Sequence, residues 1–251
     1  HEQLGRMDGT PIHIADATKE LSILHSGYRG AAWEEKKVNG RNLNLILKEL
    51  EDHPGDYEMM GYLGDEYYAA GDLDKAESWY RESIASMPSV LDERDQRSAA
   101  TFTYLLQIME ENGNDIDEMK LIYGKAAGLL PKEADFDYLI GTYLAADRDY
   151  AEGVLYLERA LDKLQRYGSN NRAMLIGSHL RETYENLALC CRKTGKDERA
   201  VSLCIAVLKS APYSMEALYL LLEAFRGNGF RPSVAPEKPW VYWNSSTVLI
   251  R

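Results

Sequence analysis

The sequence predicts an all-α fold, a solenoid of antiparallel helix pairs, with a short β remnant at its N-terminus. Three observations predict it. Small, aromatic and proline residues recur at fixed offsets through the middle of the chain, as stacked helical repeats require. Asp-x-Asp pairs fall at the turns inside those repeats, where aspartate caps a following helix. The first thirty residues break the pattern with runs such as Leu21-Ser22-Ile23-Leu24-His25, which stop at a glycine turn as strands do.

Taken in order, residues 1–40 predict two or three short strands with turns at Gly9 and Gly27, joined to the helices through residues 31–42. So few strands are not stable alone, so they are expected to be the edge of something larger. The first residue is His1 rather than methionine, from which we expect a chain cut from a longer polypeptide. Residues 41–56 predict a lone second helix ending at Pro54. The first full repeat carries Leu63-Gly64, Tyr67, Ala76, Tyr80 and Pro88. Gly64 and Ala76 let two helix backbones approach, Leu63, Tyr67 and Tyr80 fill the layer between them, and Pro88 closes the second helix.

Later copies follow this pattern with less fidelity. Leu105, Leu106, Met109, Met119, Tyr123, Ala126 and Pro131 mark the second, with an additional residue in its turn near Asn112-Gly113. Ile140-Gly141, Leu144, Gly153, Leu157 and Ala160 mark the third, and Leu187-Ala188, Cys191, Gly195, Ala200, Cys204 and Pro212 the fourth. A fifth first helix over residues 216–229 has no clear partner. Two of the intervals exceed the usual ~34 residues. The extra residues fall in 89–100 and 162–177, which predicts either lengthened first helices in copies two and four or a loop before each.

This spacing, L-G-x-x-Y then A-x-x-x-aromatic then proline, resembles the tetratricopeptide repeat family. The resemblance implies a right-handed α-solenoid whose concave face is lined by first helices. Carried onto this sequence, that face includes Glu58, Gly61, Asp65, Tyr68, Thr103, Gln107, Glu110, Glu111, Tyr138, Thr142, Glu182, Glu185, Glu216, Tyr219 and Glu223. Family members that clamp a peptide's C-terminal carboxylate need cationic groups at these places. Gly61 and Asp65 stand there instead, so a basic or neutral polypeptide, or a sugar chain stacked on tyrosine, suits the negative field better.

Composition narrows the function further. Lysine plus arginine number 29 against 40 for aspartate plus glutamate, a formal charge of −11, which disfavours nucleic acid and anionic lipid as partners. No stretch is long and apolar enough to span a bilayer and no secretory signal is visible, from which a cytoplasmic protein is expected. Cys190, Cys191 and Cys204 lack the paired spacing of a zinc site and are expected to be reduced core residues. The Asp-x-Asp pairs at 72/74, 115/117, 135/137 and 147/149 invite a metal–diphosphate reading, since carboxylates suit hard cations. Three of them sit at repeat turns, which favours capping.

A second resemblance covers about the first 45 residues. His1-Glu2-Gln3-Leu4, His25-Ser26-Gly27-Tyr28, Lys36-Lys37 and Arg41-Asn42-Leu43, followed by repeats, are similar to the C-terminal part of bacterial family 2 glycosyltransferases that carry tetratricopeptide repeats. That resemblance implies an upstream catalytic domain using Mg²⁺ or Mn²⁺ and a nucleotide-sugar donor. It makes His25 a candidate metal or diphosphate contact and Glu2 a candidate base or acceptor contact. The fragment itself, lacking the main wall of the nucleotide pocket, is expected to be inactive and to need no cofactor. The expected organisation is therefore catalytic-domain strands and linker at 1–40, repeats at 41–230 and a capping tail at 231–251. The expected role is a scaffold that holds a protein, peptide or glycan acceptor, or a partner, for sugar transfer. The other reading is a stand-alone adaptor or peptide-binding protein without enzymatic activity.

Overall fold

The computed structural model describes residues 41–93, 95–168 and 174–227, all helix, turn or coil with no strand among them. The predicted β remnant at 1–40 and the tail at 231–251 lie outside the described residues. The helices are α1 (Arg41–Asp52), α2 (Tyr57–Ala70), α3 (Leu73–Ser86), α4 (Gln96–Glu111), α5 (Ile116–Leu129), α6 (Asp135–Ala146), α7 (Tyr150–Tyr167), α8 (Met174–Ser178), α9 (Leu180–Lys193), α10 (Asp197–Ser210) and α11 (Met215–Gly227). No described helix is long and apolar enough to cross a membrane.

The pairs α2/α3, α4/α5, α6/α7 and α9/α10 are the four repeats. Each first helix touches the first helix of the next pair, in the series α2–α4–α6–α9–α11, and each second helix packs against both its own first helix and the following one. Such a progression is a solenoid, in which every unit meets only its neighbours. The half-repeats at the ends are α1 and α11.

Local chemistry explains where helices start. Asp56, Asp72, Asp95, Asp115 and Asp149 each accept a backbone N–H of the following first turn, at 2.9–3.3 Å. The capping reading of Asp72, Asp115 and Asp149 therefore holds. Tight turns supply the stops: Gly71 ends α2 at φ 81°, a left-handed conformation that suits a residue without Cβ.

Inside the first pair Gly64 faces the Tyr80 ring so closely that an added Cβ would lie 2.4 Å from it. Tyr80, Phe102, Leu105, Leu106, Met109, Met119, Phe136, Ile140 and Leu157 are fully buried. Cys190, Cys191 and Cys204 are buried, as expected, on the inner faces of α9 and α10, and none is in a disulfide.

The insertions differ from expectation in one respect. Residues 87–93 and 95 are turn and coil ahead of α4, the looped alternative of the two expected there. The second excess does not lengthen the first helix of copy four, since α9 has 14 residues. It extends α7 to 18 residues and adds the short helix α8. The third Asp-x-Asp pair explains why α8 is anchored. Asp135, at the start of α6, accepts the backbone N–H groups of Leu175 at 3.1 Å and Ile176 at 2.9 Å, while Ile176 is fully buried. Asp137, also fully buried, lies 2.6 Å from Lys163 Nζ, pairs with Arg159 and accepts the Tyr123 hydroxyl at 2.9 Å. This pair stitches helices together.

Candidate functional site

At the N-terminal end of the concave face, packing has consumed two positions expected to meet a ligand. Asp65 accepts the Tyr80 hydroxyl at 2.8 Å and is gripped by both terminal nitrogens of Arg97, whose guanidinium lies 4.7 Å over the Tyr62 ring. An added Cβ at Gly61 would come within 2.7 Å of Thr101 Oγ1, so α4 leans directly on α2 there. Asp65 is thus committed to its neighbours, and Gly61 is buried. Neither follows from the repeat pattern, because Arg97 belongs to the loop-extended start of α4. Glu58 stays exposed. Tyr68 stacks on Tyr104 at 5.4 Å, a partner the sequence analysis did not single out.

Toward the middle, Thr103 and Tyr138 are each only 8% exposed and serve chiefly as packing. Tyr138 stacks on His179 at 6.1 Å. Its hydroxyl is held above the usual tyrosine range first by burial and then by the Glu182 charge, with Glu110 and Asp135 adding to it and Thr142 opposing it. Glu110, half-buried, is itself raised by burial and by adjacent Glu111. Gln107 is partly exposed beside it. Acidic groups from three successive first helices therefore bear on the Tyr138 hydroxyl.

Among the described residues the C-terminal end of the face is open. A pocket of about 550 Å³ lies between α9 and α11. Glu182, Glu185, Glu216, Tyr219 and Glu223, all expected on the concave face, line it together with Arg181, Asn186, Leu189, Lys193 and Leu220. The helical period produces this grouping. Residues 182, 186, 189 and 193 form one stripe of α9, and 216, 219, 220 and 223 one stripe of α11. That period also made the missed residues legible once Glu182 was placed.

Within the pocket Glu185 accepts the Ser214 hydroxyl at 2.6 Å, and Tyr219 donates to Glu223 at 2.9 Å, which raises the Tyr219 pKa. Arg192 donates to the Glu223 carbonyl at 3.3 Å and pairs with Asp197 at 3.0 Å, tying α9 to α11.

Among the described residues no group of three or more His, Cys, Asp or Glu is placed to hold a metal. Glu2 and His25, the residues implied in metal and acceptor chemistry, lie outside the described residues. Burial pushes the Cys190 thiol up to about 12 and that of Cys204 to about 11, which describes inert core residues rather than nucleophiles.

Comparison with known proteins agrees with this geometry. Residues 43–89 match the tetratricopeptide repeat family profile, covering α1, α2 and α3. Among solved structures the chain is similar to YrrB, described as a TPR protein with an unusual peptide-binding site, at TM-score 0.57 and 18% identity over 73% of this chain and 84% of that one. It is also similar to the MamA protein, at TM-score 0.53 and 18% identity over 69% of this chain and 83% of that one. The fold is a tetratricopeptide-repeat solenoid. No curated protein sequence matches the chain. At this identity the two solved structures speak to the tetratricopeptide fold, and the chemistry of the concave face has to be argued from its own residues.

Proposed function

We propose that this tetratricopeptide array is an interaction scaffold that binds an extended polypeptide segment along its concave face. The observation that carries the proposal is the pocket between α9 and α11, whose walls set four carboxylates against Arg181 and Lys193, beside Tyr219, Leu189 and Leu220. A cationic side chain entering there meets Glu182, Glu216 and Glu223, while its methylenes lie on the apolar wall. The peptide-binding description of YrrB supports the same reading by analogy of fold.

Fluorescence anisotropy with labelled lysine- and arginine-containing peptides tests it, against acidic peptides of equal length. The expected result is salt-sensitive binding of the basic set, weakened at least fivefold in the Glu182→Gln/Glu223→Gln chain. Equal affinity for both sets, or no effect of the double substitution, would reject the basic-segment reading.

The resemblance of His1-Glu2-Gln3-Leu4 and His25-Ser26-Gly27-Tyr28 to bacterial family 2 glycosyltransferases supports a narrower proposal. Here the scaffold would hold an acceptor, protein, peptide or glycan, for a metal-dependent catalytic domain encoded upstream, with His25 and Glu2 at its edge. The upstream reading frame decides this. About 200 residues of alternating strand and helix containing an Asp-x-Asp support it, and their absence leaves the stand-alone adaptor.

A further inference from the structure

The last helix is built differently from the first helices before it. α2, α4, α6 and α9 are each covered by a second helix and by the next first helix, whereas α11 is the last described element and packs only on α9 and α10. Its packed side holds Ala217, Leu220 and Ala224. On the opposite side, Met215 and Tyr219 are each 61% exposed and Leu222 53%, with Tyr213 at 62% just ahead of the helix. Residues 215, 219 and 222 are one helical stripe. An apolar stripe of that size on the end of a solenoid calls for a cover.

We infer that the C-terminal segment 228–251 supplies the cover in cis, laying Trp240, Tyr242 and Trp243 on the Met215–Tyr219–Leu222 stripe. Three features select this occupant. The segment follows directly from Gly227, and at up to ~80 Å extended it can return along a 13-residue helix of ~20 Å several times over. Pro232, Pro236 and Pro239 oppose a further helix, so the expected cover is an extended strap rather than another repeat. Its charge also complements the site: the segment has Arg231, Lys238 and Arg251 against Glu237 alone, within a chain of −11, while the flank of α11 presents Glu216 and Glu223.

The strap would border the pocket through Tyr219, which belongs to both the stripe and the pocket lining. The inference stands apart from peptide binding, since it concerns the covering of the stripe and not what the pocket holds.

Hydrogen exchange and fluorescence on the full chain test it. In the Trp240→Ala/Trp243→Ala chain, amides of residues 215–227 should exchange at least tenfold faster than in the parent, with those of α4 to α6 unchanged. In a second chain, Leu222→Glu should do the same from the other side of the contact. Placed in a Trp33→Phe/Trp79→Phe background, it should raise acrylamide quenching of the two remaining tryptophans at least threefold. Exchange in α11 indifferent to both changes would overturn the inference. So would protection of α11 that grows with protein concentration, because a second copy would then be the cover.

Discussion

Asp137 illustrates how much a single residue can hold. It has no solvent access, yet it lies within an ion pair of Arg159 and of Lys163 and accepts the Tyr123 hydroxyl. Truncating it leaves two cations facing an emptied site, and breaking a buried pair from one side typically costs about 3–5 kcal/mol. Asp137→Ala should therefore lower the denaturation midpoint substantially with helicity retained below it, as measured by circular dichroism in urea. Glu110 makes the opposite case. Its pKa is raised by burial and then by Glu111. The folded chain thus keeps this proton after the unfolded chain has lost it. The stability it contributes is complete below the unfolded value of about 4.5 and declines as pH rises through the folded one. Glu110→Gln should be more stable than the parent at pH 7, with the advantage vanishing below pH ~4.5. Denaturant titrations of both chains from pH 4 to 8 measure that difference.

At the scale of the helix, glycines separate close packing from open surface. At Gly64 an added Cβ would strike the Tyr80 ring at 2.4 Å, and overpacking of this kind costs about 1–3 kcal/mol. Gly124 and Gly128, on α5, have nothing within 4 Å of that position, so alanine there should stabilise by about 0.5–1 kcal/mol each through helix propensity. Thermal unfolding of Gly64→Ala and Gly124→Ala should shift in opposite directions. The contrast also marks what was legible in the sequence. Gly64, Ala76 and Tyr80 stand within one helical hairpin at the offsets of a single repeat, so their spacing announces the contact, and the same is true of the capping aspartates. Asp65 with Arg97, and Asp135 with α8, join residues more than thirty positions apart across an irregular insertion. No local period encodes such pairs. Hence the concave stripe on α9 and α11 was readable, whereas the closing of the face at Asp65, Thr103 and Tyr138 was not.

Across the whole molecule the buried side chains fall into two clusters. One runs from Ala76 to Ile176 through α3 to α8, and the other from Ala145 to Leu220 through α6 to α11. They overlap on the α6/α7 pair: Ile140, Leu144 and Ala160 belong to the first, Ala145, Val154 and Leu157 to the second, and Leu161 packs against both. In a linear array, cooperativity between the halves depends on the interface that joins them. Leu157 is fully buried there, and an added Cβ at Gly141 would lie 2.8 Å from it. Leu157→Ala removes about 2–5 kcal/mol of packing at the joint itself. Its expected result is a thermal transition that divides in two, with residues 180–227 exchanging their amides at a lower temperature than residues 96–129. Leu155→Ala, from a side chain 61% exposed on the same helix, should change stability by no more than about 0.5 kcal/mol and leave one transition. If Leu157→Ala instead shifts a single transition downward with all helices released together, the two clusters behave as one core and the α6/α7 pair is not a joint.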